Sequence, residues 1–100
     1  RIRITKVTEI HGVVAGQAGT MDLLKYNIAD VTYNDADTFA ILGTTKINLA
    51  AAINVAQSPT LTSTAADLVL EVGEYLRASL ASGAATSLAN GLVVIEYEAA

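Results

Sequence analysis

The chain has 100 residues, a net charge of −4 and an apolar content of 52%, with no cysteine, no tryptophan and one histidine. This length predicts a single domain, residues 1–100, with one core. The lack of cysteine excludes disulfides and thiolate metal sites. No apolar stretch approaches the roughly 20 residues of a membrane-spanning helix, so we expect no membrane partner.

Charge is distributed unevenly along the chain. Arg1, Arg3 and Lys6 make the first six residues basic, whereas the remainder of the chain is acidic. An acidic body repels the phosphate backbone, so nucleic acid is not expected as a partner. The basic start is either a solvated terminus or an arm that seeks an acidic neighbour.

The first half of the chain predicts three strands. Residues 1–4 alternate cleanly between basic and apolar side chains, and the pattern continues less strictly through Val7 and Ile10. A second strand is predicted over residues 21–28. Its faces carry Leu24, Tyr26 and Ile28 on one side and Leu23 on the other. After a polar connection, an apolar run restarts at Thr38 and ends at Leu42.

The middle of the chain allows two interpretations. Apolar side chains take alternate positions at Ile47, Leu49, Ala51, Ile53 and Val55, which predicts a strand. Ser58-Pro59 ends this element, because proline cannot donate to a ladder. Leu49 to Ile53 also contains good helix formers, so a short helix is the alternative.

The third quarter carries the clearest period-two pattern. Even positions are apolar from Leu68 to Val72 and again from Leu76 to Leu80, so the parity holds across the Gly73-Glu74 step. Thr64 to Asp67 resembles a helix capping box, and the same leucines also recur at helical spacing. Gly73 and the β-branched Val69 and Val72 favour strands over a helix.

A last strand is predicted from Leu92 to Glu98, after the Ala81–Ala89 loop and Asn90-Gly91. The total of seven or eight strands at roughly 8–12-residue spacing predicts an all-β fold, an antiparallel β-sandwich or jelly roll. The side chains expected to face inward are Leu68, Leu70, Leu76, Leu80, Val93 and Ile95.

The lone histidine, His11, lies at the predicted end of the first strand. No second histidine or cysteine can complete a metal site with it, and no Ser-x-Gly elbow offers a triad. We therefore expect a solvated or core-edge histidine. Scattered glycines match no phosphate-binding pattern.

Two groups of acids were considered as sites. Asp30, Asp35 and Asp37 with Asn34 supply the oxygen ligands that calcium prefers, but their spacing differs from an EF-hand loop, so a surface loop is predicted. Glu96 and Glu98 share one strand face about 7 Å apart, which is typical of a solvated face. The sequence thus predicts no catalytic, cofactor-binding or metal-binding residue, no cofactor and no enzyme.

Two strand-like stretches, Leu61 to Val72 and Leu92 to Tyr97, contain no lysine. Sheet proteins commonly protect exposed edges with lysine, proline or bulges. Because these stretches lack lysine, we expect their edges to be covered by a partner chain. Closed symmetry would cover them and stop further growth, which predicts an oligomer.

Five segments carry a resemblance to a known class. Ile10 to Val13 is similar to an early strand with a glycine turn, and Thr44 to Leu49 to a mid-sheet strand. Ala66 to Ala78 is similar to a pair of strands around a glycine–acid step. Gly83 to Ser87 and Gly91 to Glu96 are similar to a closing loop and strand. Through these five segments taken in order, the chain resembles small β-sandwich structural proteins of tailed-bacteriophage virions. These are head decoration (cement) proteins or tail-associated modules.

The resemblance covers most of the chain, and is strongest from Thr60 to Glu98. It departs at Ala50-Ala51-Ala52, where relatives often place a glycine turn, so the resemblance does not predict a hairpin at that point. The resemblance implies a homotrimer on the capsid exterior or tail that contacts the major capsid protein or other virion proteins. Its function would be to stabilise the capsid lattice. The alternative is a tail-fibre or spike module that binds a host receptor through loop aromatics, with Tyr33 and Tyr75 as candidates.

Overall fold

The computed structural model of the protein describes residues 1–14, 19–27, 38–81 and 90–100. These residues form seven strands and one 3-10 helix. In chain order they are β1 (Ile2–His11), β2 (Thr20–Asn27), β3 (Phe39–Ala40), β4 (Ile47–Asn48), the 3-10 helix (Ala65–Leu68), β5 (Val69–Leu70), β6 (Glu74–Ala81) and β7 (Gly91–Ala99). Every strand pairing is antiparallel, which confirms the predicted all-β class.

The strands form two sheets that pack together as a sandwich. In the first sheet, β1 lies between β5 and β7. In the second sheet, β2 pairs with β6 along one edge and with the short strands β3 and β4 along the other. The two central strands β1 and β2 therefore supply much of the interior. No helix in the described part of the chain is long and apolar enough to cross a membrane.

Aliphatic side chains from both sheets form the core. Its buried members are Ile4, Val7, Met21, Leu23, Ile41, Leu42, Ile47 and Leu49. Five of the six predicted inward residues pack against this cluster, namely Leu68, Leu70, Leu76, Val93 and Ile95. Leu80 lies opposite buried Met21 and therefore on the inner face of its sheet, as predicted, but it is 43% exposed and does not join the core. Leu80 lies near the end of β6, and in the described residues no strand flanks the outer edge of β6 to cover it.

A β-bulge interrupts β1 and explains its imperfect alternation. Ile4 is opposite Tyr97 and Lys6 is opposite Glu96, so β1 contains one extra residue, Thr5. A bulge of this kind changes which side chains face the interior. The buried positions accordingly move from Ile4 to the odd-numbered residues that follow, which are Val7, Glu9 and His11.

The second predicted strand is confirmed as β2. Its buried face carries Met21, Leu23 and Lys25, while Leu24 and Tyr26 on the other face are half-buried. The apolar run from Thr38 contains β3. The acidic loop Asp30–Asp37 and the predicted loop residues 82–89 lie outside the described residues.

The strand predicted through Val55 is wrong beyond Asn48. The Asn48 side chain accepts a hydrogen bond from the Ala50 amide at 3.0 Å, and the Asn48 carbonyl accepts one from Ala51 at 3.3 Å. Such local bonds replace ladder bonds and turn the chain. Asn54 then adopts a positive φ of 59°, which asparagine tolerates. The alternative helix over residues 49–53 does not form either.

The segment around Gly73 forms strands, as the alternation predicted, but in different sheets. The 3-10 helix occupies the capping-box region, and Thr64 precedes it without a side-chain capping bond. β5 joins the first sheet and β6 the second, so the turn between them transfers the chain across the sandwich. This turn needs Gly73, whose φ is 89°. Val72 beside it is 96% exposed.

Candidate functional site

Three segments converge at the end of the sandwich where β1 finishes and β7 begins. The Asn54 amide donates to the His11 carbonyl at 2.8 Å, and the Gly12 amide donates to the Asn90 carbonyl at 3.1 Å. These bonds bring together residues 10–14, 51–57 and 90–95. We call this region the apolar end.

The apolar end exposes large aliphatic side chains and no charge. Its exposed members are Val13, Val14, Ile53, Val55, Leu92 and Val94. None of the three segments contains Asp, Glu, Lys or Arg, and His11 is buried. Apolar surface without charge is typical of the centre of a protein–protein contact.

A cleft of about 300 Å³ opens beside this surface. Residues of β6 and β7 form its sides, and its lining includes Glu9, Met21, Leu49, Leu80, Leu92 and Val93. Among the described residues, β6 and β7 are each paired along one edge only. The cleft therefore lies between strands that both keep unpaired backbone groups, the kind of edge that accepts another chain.

Below the apolar end, a buried Glu9–His11 pair fastens residues 51–57. His11 is 1% exposed and Glu9 is 2% exposed. The His11 Nδ1 lies 2.7 Å from Glu9 Oε1, and His11 Nε2 lies 2.9 Å from the Ala51 carbonyl oxygen. The predicted alternative of a solvated histidine is wrong, because the bulge in β1 directs His11 inward; the core-edge alternative agrees with its buried position at the end of β1.

The protonation of this pair follows from its acceptors. A carbonyl oxygen only accepts, so Nε2 of His11 carries a hydrogen and donates it to Ala51. The hydrogen bond to Ala51 raises the pKa of His11 above its ordinary value of 6.5; burial opposes this rise, and Glu9 adds to it through its hydrogen bond and its charge. The pair therefore retains a proton that an exposed histidine would lose.

Gln57 completes the network and was missed by sequence reasoning. Its backbone exchanges two hydrogen bonds with Glu9, at 2.9 and 2.8 Å. Its side-chain Nε2 donates to Glu9 Oε2 at 3.0 Å and to the Asn48 carbonyl at 2.8 Å, while its Oε1 accepts from the Asn48 amide at 3.1 Å. Both Glu9 oxygens and both His11 nitrogens are thus engaged. This arrangement holds the turn of residues 51–57 against the end of β1.

The opposite end of the sandwich, which we call the charged end, is organised differently. Two exposed ion pairs lie there, Arg1–Glu71 at 3.3 Å and Arg3–Glu98 at 3.4 Å. Arg1 and Arg3 of the basic start are therefore paired with acids of the same chain.

Lys25 closes the charged end from the inside. Its Nζ donates to the carbonyls of Ala66 and Val69 at 3.0 and 2.9 Å and lies 3.5 Å from Glu74. Lys25 belongs to one sheet and Val69 to the other, so this side chain ties the two sheets together.

The remaining predicted site residues do not converge. Glu96 and Glu98 are exposed on β7, which confirms a solvated strand face. Tyr75 is not a loop aromatic, because it lies half-buried on β6 with its ring centroid 4.0 Å from that of Tyr26. Tyr33 and the Asp30–Asp37 acids lie outside the described residues. No group of three metal-ligating side chains occurs in the described residues.

The chain was compared with protein-family models, with curated proteins and with solved structures, and nothing in the three sets matches it.

Proposed function

We propose that this chain is a virion structural protein without catalytic activity, a head decoration (cement) protein that reinforces the capsid lattice of a tailed bacteriophage. It acts as a homotrimer whose subunits meet through the apolar end. The observation that carries the proposal is the concentration of exposed aliphatic side chains, without any charge, at one end of the sandwich. The virion context comes from the sequence resemblance.

The charge distribution supports a second copy of this chain as the occupant of the apolar end. The net charge is −4, so copies that meet through acidic surfaces place like charges together, which is unfavourable. The apolar end is where two copies approach without that penalty. Within the described ranges, β6 and β7 are each paired along one edge only, and the same contact would cover their other edges.

The number three comes from the resemblance alone, since two-fold closure would cover the edges equally well. The alternative, a tail-fibre or spike module, relied on loop aromatics. Among the described residues, the candidate Tyr75 is half-buried against Tyr26 and offers no open platform for a sugar. We therefore retain the assembly function.

Sedimentation equilibrium at micromolar concentration tests the assembly. We expect a mass three times the 10.4 kDa of one chain. A monomer would contradict self-association, whereas a dimer would contradict only the trimer. Immunogold labelling of virions then tests the head location, and label confined to the tail would favour the alternative.

Two valines provide a matched pair of variants. Val55 is 53% exposed at the apolar end, and Val72 is 96% exposed at the turn before β6, beside Glu71. We expect Val55→Asp to abolish association, because it places a charge in the contact, and Val72→Asp to leave the mass unchanged. Equal effects of the two substitutions would show that the apolar end is not the contact surface.

A further inference from the structure

The turn that forms part of the apolar end depends on a single titratable pair. Residues 51–57, here called the covering turn, are held by five bonds to β1. These are the Ala51 carbonyl to His11 Nε2, the Asn54 amide to the His11 carbonyl, the two backbone bonds between Gln57 and Glu9, and Gln57 Nε2 to Glu9 Oε2. All five end on Glu9 or His11, and two of them end on a side chain of this pair. The position of exposed Ile53 and Val55 therefore depends on these two residues.

We infer that the Glu9–His11 pair is a proton-dependent latch that fixes the covering turn and thereby controls the shape of the apolar end with pH. The inference rests on the proposed contact role of that end and adds its regulation. With a proton between Nδ1 and Oε1, both imidazole nitrogens donate and the turn is held. When that proton leaves, a lone pair on Nδ1 faces a carboxylate oxygen at 2.7 Å.

The deprotonated arrangement is unfavourable inside the protein. Two acceptors facing each other at hydrogen-bond distance repel, and among the described residues the buried Glu9 carboxylate keeps only the Gln57 side chain as a side-chain donor. The pair can relieve this by rotating the imidazole, which breaks the Nε2 bond to Ala51. Opening the turn instead admits water. Either response loosens the covering turn and leaves the rest of the core in place.

The surroundings of His11 contain no competing switch among the described residues. The covering turn has no titratable side chain, and residues 90–95 have none. β2 buries Met21 and Leu23 on its inner face, and its Asp22 pairs with Lys46 at 3.2 Å. Among the described residues, Glu9 is therefore the titratable group that faces His11.

His11 is the single histidine of the chain, so its imidazole nitrogens give one unambiguous set of NMR signals. We expect the imidazolium pattern to persist above pH 6.5, the ordinary pKa of histidine. In the same titration, hydrogen exchange is followed at the amides of Asn54 and Gln57, with Ile41 as a core reference bonded to Leu23 at 2.9 Å. Protection at Asn54 and Gln57, corrected for the intrinsic rate, should fall about tenfold for each unit by which the His11 pKa is raised.

A matched pair of variants separates the latch from a general charge effect. Glu9→Gln keeps an amide oxygen near Nδ1 but removes the carboxylate, so the loss of protection should move to lower pH. Glu96→Gln removes an exposed carboxylate from β7 and should leave the titration unchanged. Rescue of the wild-type pH profile by Glu9→Asp would support a role for the charge itself.

The outcomes separate the latch from the proposed assembly. A neutral imidazole at pH 6.5, or protection at Asn54 and Gln57 that follows Ile41 at every pH, overturns the latch. If the turn titrates as expected but association measured by sedimentation is independent of pH, the control of the apolar end is overturned. Absence of association at every pH contradicts the proposed function, while the NMR and exchange data still decide the latch.

Discussion

Each end of the sandwich buries a side chain that donates to the backbone, yet one end is closed by these bonds and the other stays open. At the charged end, Lys25 donates to Ala66 and Val69 and joins the two sheets. At the apolar end, His11 donates to Ala51 and holds a turn, while a cleft remains open between β6 and β7. The charged end is closed by bonds within the chain, whereas the apolar end leaves aliphatic side chains exposed. The contrast shows that one small domain can bond its charged side chains internally at one end and leave apolar surface at the other, which is the surface for which we propose a contact.

Replacement of Lys25, at the charged end, is expected to have the largest effect on stability. In Lys25→Met, two partly buried carbonyls lose their donor and Glu74 loses its ion pair, so the free energy of unfolding should fall by about 3 kcal/mol. Urea denaturation measures this change. The control is Lys6→Met, an exposed lysine of β1, for which we expect a change within about 0.5 kcal/mol. Equal effects would mean that Lys25 does not tie the sheets.

Two leucines test how far the core extends toward each end. Leu70 packs against the core near the charged end, whereas Leu80 lies in the cleft and is 43% exposed. We expect Leu70→Ala to lower the free energy of unfolding by about 2 kcal/mol and Leu80→Ala by less than about 1 kcal/mol. Thermal unfolding of both variants measures the difference. The reverse order would indicate that the cleft is packed and not open.

The apolar end should also make stability depend on pH near neutrality, because it contains His11 and imidazole titrates in that range. The folded protein binds the His11 proton more tightly than the unfolded chain, since the pKa of His11 is raised. This contribution is therefore fully present below pH 6.5 and is lost as pH rises through the raised pKa, at about 1.4 kcal/mol per pKa unit. Melting temperatures of the wild type and Glu9→Gln, compared at several pH values, measure the contribution. A wild-type profile parallel to that of the variant would contradict it.

The smallest effect is expected at the exposed ion pairs. The Arg3–Glu98 pair has side chains that are about half exposed, so Glu98→Gln should change stability by roughly 0.2–1 kcal/mol. The effect should decrease with added salt, since the Debye length shortens. Denaturation at low and high ionic strength measures it. A larger loss, unaffected by salt, would indicate that this pair contributes to closing the charged end.

The fold class could be predicted because period-two alternation is a local property of the chain. It identified β1, β2, β6 and β7, and most of the inward leucines. The strand predicted through Val55 failed because the side chain of Asn48 competes with the ladder for backbone bonds. Apolar residues still alternate from Leu49 to Val55, but this segment does not pair as a strand of either sheet.

The candidate site was less predictable because its parts are far apart in sequence. Lys25 has its acceptors 41 and 44 residues away, and Gln57 lies 48 residues from Glu9. The one local signal was the parity of β1. After Val7, the odd positions hold Glu9 and His11, and recognition of the bulge would have placed both polar residues inside.

The extra residue in β1 has a consequence for how this strand can change in length. Without Thr5, Ile4 and Lys6 would be consecutive in β1, as their partners Tyr97 and Glu96 are in β7, so the ladder would become regular and the residues that follow would keep their faces and partners. Loss of one residue between Val7 and His11 would have the opposite effect, because it would reverse the faces of the residues beyond it. We therefore expect β1 to tolerate a shorter chain at Thr5, whereas from Val7 to His11 the number of residues is under stronger constraint than their identity.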